Sequence, residues 1–208
     1  MSSRFFSLLM AVKITMFFAA CEKTDNPEIE SIEIRSNEIE DKDIVAVKMV
    51  IEALKPSEGI WGISNELVSV DYKNGNLQLN FPAIISDEYL GEYFWYNSEN
   101  IIPEGVTISE PKVKVVLICL IAYNREENHI GYFLLDNGEW WSAEYIYANR
   151  GFTVKGTSKH GLVFDCTFKK GWNIRYFNPL ENNYQGKFTT KKPLNVNFKW
   201  RYAVNGIQ

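Results

Sequence analysis

Beyond residue 44 the chain alternates hydrophobic and polar positions with a period of two, the pattern of strands that bury one face. Val45, Val47, Met49 and Ile51 share one side of a first strand that runs to Lys55-Pro56, and its β-branched content favours strand over helix. Leu67 to Tyr72 and Leu77 to Phe81 flank Lys73-Asn74-Gly75-Asn76, and Asn-Gly between two such runs predicts a hairpin because both turn positions need positive φ. Pro82 ends that strand. Ser86 followed by Asp87 and Glu88 reads as an N-cap and an acidic first turn, opening a short helix over 86–96. Val113 to Tyr123 is the most continuously apolar run after residue 21 and predicts a central strand covered on both faces. Ile130 to Leu135 and Trp140 to Ala148 follow, joined by turns at Arg125–Asn128 and Asp136–Gly138. In the last third Phe152 and Val154, then Leu162, Phe164, Cys166 and Phe168, then Trp172, Ile174 and Tyr176 form the inward sets, and Val196, Phe198, Trp200, Tyr202 and Val204 close the series. About ten strands, short turns and one short helix predict an all-β domain, an antiparallel β-sandwich with a β-barrel as the alternative.

The first forty-three residues follow different rules. Arg4 gives a short positive start, Phe5 to Ala20 is mostly apolar with Lys13 as its one interruption, and Ala19-Ala20 stand before Cys21, the layout of a secretory signal and its cleavage site. Phe18-Ala19-Ala20-Cys21 resembles the cleavage box of bacterial lipoprotein precursors, with Phe18 where that family usually has Leu. The resemblance implies that Cys21 is diacylated and becomes the N-terminus, and Glu22 at the next position implies transfer to the outer membrane. Residues 22–43 hold nine acids and three bases and show no sustained apolar period, a composition that buries too little to offset its ordering entropy. They read as a tether reaching about 25 Å as a flexible coil, although 29–34 could instead pair as an edge strand. The expected organisation is a signal over 1–20, the lipidated cysteine and acidic tether over 21–43, and one all-β domain over 44–208.

Charge is unevenly spread. Residues 22–149 carry 9 basic and 24 acidic side chains, whereas 150–208 carry 11 basic and 2 acidic. Overall acidity and the lack of a basic helical stripe argue against a nucleic-acid partner. In the basic portion Lys155, Lys169, Arg175, Lys199 and Arg201 fall on the parity opposite to the inward sets, so they should line outer sheet faces. If their strands are neighbours the result is a basic patch suited to anionic glycans or lipopolysaccharide phosphates; otherwise they pair with acids of the other portion. Cys119 and Cys166 could bridge in an oxidising compartment or stay as small buried hydrophobes.

Catalytic signatures are sparse: the chain has no GxSxG, GxxxxGK, GxGxxG, HExxH or CxxC. His129 and His160 fall in predicted turns, and neither a metal nor a cofactor is expected. Asp87, Glu88, Glu92 and Glu139 read as caps and turn residues rather than an acid/base pair. The 30 aromatic residues include two dense groups, from which Tyr93, Trp95, Trp140, Trp141 and Tyr145 are the candidate ligand contacts. Consecutive tryptophans in a strand point to opposite faces, so one of Trp140 and Trp141 should be available to stack on a sugar ring or anchor a partner. The alternative is that these rings form a second core layer.

Residues from Glu66 to Phe177 resemble a group of small Bacteroides-type secreted lipoproteins of unknown function. The matching positions are Asn74-Gly75, Pro82, Ala122-Tyr123, Tyr145 to Ala148, Thr153 to Gly156 and Lys169 to Asn173. The opening strands are also similar to transthyretin-like and carboxypeptidase-regulatory sandwiches. The likeness implies an envelope compartment and a transthyretin-like or Ig-like sandwich, with a calycin-like β-barrel as the alternative, and supplies no catalytic residues. The sequence thus points to an outer-membrane lipoprotein, facing the periplasm or the cell surface, that binds a glycan or an envelope protein without catalysis. A carboxylate-dependent glycan hydrolase and an adhesin or structural subunit are the alternatives. Metabolic labelling with an alkyne fatty acid should mark the wild-type chain and leave Cys21→Ala unmarked; equal labelling of the two would remove the lipid anchor from this reading.

Overall fold

The computed structural model describes residues 31–35, 43–55, 60–73, 76–93, 102–179 and 185–204, with backbone alone at 35, 52–55 and 60–64. Among them are β1 (Ser31–Arg35), β2 (Ala46–Lys55), β3 (Ile60–Asp71), β4 (Asn76–Asn80), β5 (Gly91–Glu92), β6 (Val106–Ile108) and β7 (Lys114–Tyr123). The series continues with β8 (His129–Asp136), β9 (Ser142–Ala148), β10 (Phe152–Thr157), β11 (Leu162–Phe168), β12 (Gly171–Pro179), β13 (Gly186–Thr189) and β14 (Lys199–Val204). The fold is all-β and sandwich-like. Its large sheet runs β3-β2-β7-β8-β9-β12-β13-β11-β10-β6, with β14 beside β8 and β5 beside β7, and the path stays open rather than closing into a barrel. A second, two-stranded sheet joins β1 to β4. Pairing is antiparallel except between β11 and β13, which run parallel, so the sheet is mixed.

The position of β7 shapes the rest. One of its flanks is shared: Leu120 to Tyr123 pair with β8, and Val115 to Leu117 pair with β9. The sheet therefore forks at β7, and the two branches enclose separate cores. Alternation along β7 supplies both. Val116, Ile118, Leu120 and Ala122 face the first core, in which Ile32 and Ile34 of β1, Leu77 and Leu79 of β4, and Val47, Met49 and Ile51 of β2 are buried. Val115, with Val113 just before the strand, faces the second, with Val106, Ile146, Phe152, Val154, Phe164, Cys166, Phe168 and Phe188. In β9 the same division puts Tyr147 in the first core and Ile146 and Ala148 in the second.

Three expectations change here. Residues 31–35, placed in the tether with edge pairing over 29–34 as the alternative, form β1; Ile32 and Ile34 are too apolar to leave in water once Leu77 and Leu79 offer a partner face. The hairpin expected around Asn74-Gly75 joins β3 and β4, but β3 pairs with β2 and β4 with β1, and only a Lys73–Asn76 bridge links the two arms. The short helix expected over 86–96 is a single 3-10 turn, Asp87–Tyr89, after which Gly91-Glu92 joins the edge of β7; Ser86 makes no side-chain cap hydrogen bond, and residues 94–96 lie outside the described residues.

Phe188 marks the centre of the second core. It stacks on Phe164 at 5.3 Å and on Phe177 at 4.3 Å between ring centroids, and the Arg175 guanidinium lies 4.7 Å over its ring. Phe188→Ala should lower unfolding stability by about 3–5 kcal/mol in urea titrations; a loss below about 1 kcal/mol would mean that this second core does not form.

Candidate functional site

Turn chemistry between β8 and β9 builds the most distinctive surface. The Asn137 side-chain oxygen accepts hydrogen bonds from the backbone N–H groups of Glu139, Trp140 and Trp141 at 3.1, 3.1 and 2.9 Å. One Asp136 carboxylate oxygen accepts from the Gly138 N–H at 2.7 Å and pairs with the Arg201 guanidinium at 2.6 Å. Gly138 has φ of +82°, and a Cβ there would stand 2.0 Å from an Arg201 nitrogen, so only glycine lets the turn lie against that side chain. The Asn137 cap holds Trp140 and Trp141 in the turn, and β9 begins at Ser142. This corrects the expectation of a strand from Trp140. The two indoles still differ: Trp140 is 59 % exposed and Trp141 is half-buried.

The second wall comes from β14, antiparallel to β8 with Lys199 opposite Asp136 and Arg201 opposite Leu134. Trp200 and Tyr202 pack on the first core, Trp200 stacks on Tyr145 at 6.1 Å, and the Tyr202 hydroxyl donates to the Ile130 carbonyl at 3.1 Å. With alternate residues so anchored, Lys199 and Arg201 point to the opposite face. Together with Asn137 and Asn197 they line a cleft of about 480 Å³, within the range of small-ligand sites. The fold thus brings Trp140, Lys199 and Arg201, remote in sequence, to one turn. Asn137 and Asn197 escaped the sequence reading: the Asp-Asn-Gly turn was legible, but nothing in it shows that β14 would lie alongside.

The remaining candidates lie elsewhere. Tyr145 packs against the first core, with Phe81 5.1 Å away, and burial pushes its phenol up to about 12. Tyr93 is buried in the second core, edge-on to Phe152, where burial raises its phenol against the pull of Arg175. Tyr93 is closed off from solvent, and Tyr145 is half-buried. Trp95 lies outside the described residues. Among the basic candidates, Lys155 pairs with Asp165 across β10 and β11; that contact, ahead of the cost of burial, holds the Asp165 carboxyl below its ordinary range. Lys169 is half-buried, and its backbone N–H donates to Asn173 at 2.9 Å.

Arg175 departs most from the outer face expected for it: it is 5 % exposed. Its guanidinium pairs with Glu144, directly opposite on β9, and donates to the Tyr93 hydroxyl at 3.3 Å. Burial disfavours its charge, but Glu144 and Tyr93 outweigh that cost and raise its pKa. The reason is that β12 is covered on both faces, so the parity opposite to Trp172 is also interior. No disulfide joins Cys119 and Cys166. Cys166 belongs to the second core, and burial, partly offset by Arg175 and Lys155, pushes its thiol up to about 12. Among the described residues no three His, Cys, Asp or Glu side chains gather where they could hold a metal ion. Comparisons with family models, with curated proteins and with solved structures find no match to this chain.

Two measurements check these placements. Glu144→Ala should cost about 3 kcal/mol of stability, at the low end for breaking a buried pair because Glu144 is one-third exposed, whereas Lys155→Gln should cost less than about 1 kcal/mol; equal costs would mean that Arg175 is not buried. Ellman's reagent should read both Cys119 and Cys166 in the unreduced, denatured protein and leave Cys166 silent in the native one. Absence of thiol after denaturation would show a disulfide instead.

Proposed function

We propose that this chain is a lipid-anchored lipoprotein of the outer membrane whose β-sandwich binds a glycan without catalysis. The observation that carries the reading is a largely exposed indole, Trp140, on a turn whose capping residue, Asn137, itself lines a polar cleft. An exposed indole offers a flat apolar face on which a sugar ring can stack. Asn137, Asn197, Lys199 and Arg201 supply hydrogen-bonding groups in the cleft. A binding role is favoured over hydrolysis because Asp136, the carboxylate joined to the cleft, is engaged by Arg201 and the turn N–H, which suits a structural group rather than a general acid.

The resemblance of Phe18-Ala19-Ala20-Cys21 to a lipoprotein cleavage box supports an envelope location, where polysaccharide is abundant. On an array of neutral and acidic oligosaccharides the wild-type protein should give discrete signals, and Trp140→Ala should weaken them by about tenfold or more, the scale of one lost stacking contact of about 1.4 kcal/mol. A blank array would leave this reading without a ligand, and an unchanged Trp140→Ala would move the site elsewhere.

A further inference from the structure

We infer that the cleft between the β8–β9 turn and β14 selects saccharides bearing an anionic group, a uronate, sulfate or phosphate, over uncharged ones. This rests on the glycan-binding reading and deepens it. The warrant is the balance of donors and acceptors. Lys199 and Arg201 can only donate hydrogen bonds. Asn137 contributes its amide nitrogen alone, because its oxygen already accepts three backbone N–H groups. Asp136, the acid nearest in chemistry, uses one oxygen for both Gly138 and Arg201 and is not among the lining residues; Glu139 is exposed on the turn and does not line the cleft either. Among the described residues that line the cleft, Asn197 is the side chain left to offer an acceptor.

Such a cleft discriminates by chemistry. A sugar hydroxyl can accept from these donors, but beyond Asn197 the described lining side chains give its own hydrogen no partner, so an uncharged ring satisfies only part of its hydrogen bonding there. A carboxylate, sulfate or phosphate brings acceptors only, along with the charge that Lys199 and Arg201 complement. Arg201 is pre-oriented for this: pairing with Asp136 through one terminal nitrogen fixes its plane and leaves further N–H groups for a bidentate contact. Trp140 would cover the sugar ring while the cations hold its anionic substituent.

The test is an array, read at low and at physiological salt, on which each uronate, sulfated or phosphorylated oligosaccharide is printed beside its uncharged counterpart, with wild type, Lys199→Gln, Lys199→Gln/Arg201→Gln and Trp140→Ala. Wild type should favour the acidic member of at least one pair by about tenfold, the size of one charge-assisted hydrogen bond. The preference should shrink with salt and fall to within about twofold in Lys199→Gln/Arg201→Gln. Trp140→Ala should weaken both members of a pair alike. Lys199→Gln leaves the Arg201–Asp136 pair in place, so a partial loss there separates ligand contact from misfolding of the double variant. Equal binding of charged and uncharged partners would overturn the anion preference and leave the glycan reading standing. Silence on every spot would overturn both, and a preference unaltered in Lys199→Gln/Arg201→Gln would remove these cations from it.

Discussion

Double-sided burial of the strands at the fork organises this molecule. β7 buries alternate residues in two cores, β9 does the same, and β12 sends Trp172 into one and Arg175 and Phe177 toward the other. A strand covered on both faces cannot follow the polar-out rule, so each polar residue on it must find a partner inside. Arg175 is the clearest case. Its charge is tolerated because Glu144 stands directly opposite on β9 and the Tyr93 hydroxyl accepts from it, while Phe188 offers its ring face.

This arrangement explains the lopsided charge of the chain. Two arginines from the basic portion meet acids from the acidic portion: Arg175 with Glu144, and Arg201 with Asp136. The first pair lies inside the fold, where losing one partner would strand a buried charge. The second, with Arg201 about half exposed, contributes at most about 1 kcal/mol by itself. Its value lies in geometry, because the same Asp136 oxygen also ties down the Gly138 N–H, so one carboxylate aligns a turn, a strand and a guanidinium. The exposed pair shapes the cleft, and the buried pair joins β9 to β12.

Much of this was legible in the residues. Period-two alternation located β2, β10 and β11 with their inward faces, since a strand with one dry face leaves that mark wherever its other face is wet, and a continuous apolar run located β7. The all-β class followed from it. What alternation could not show is which strands are neighbours: Asn74-Gly75 predicts a hairpin, but β3 pairs with β2 and β4 with β1, whose Ile32 and Ile34 were hidden among acids. The parity argument failed for Arg175 for the same reason, because facing away from one core means facing water only when no second core exists.

The sequence by itself determined the local facts: strand spacing, turn positions, the alternation that separates Trp200 and Tyr202 from Lys199 and Arg201, and the address-like segment before Cys21. These depend on neighbours a few residues apart, which the chain carries as a pattern. Tertiary structure alone decided that the β8–β9 turn meets β14, some sixty residues away, that Asn137, Asn197, Lys199 and Arg201 line one cleft, and that Tyr93 and Arg175 are interior. Such meetings are selected by the summed burial of two cores rather than by any local preference, and no single stretch of sequence contains that sum.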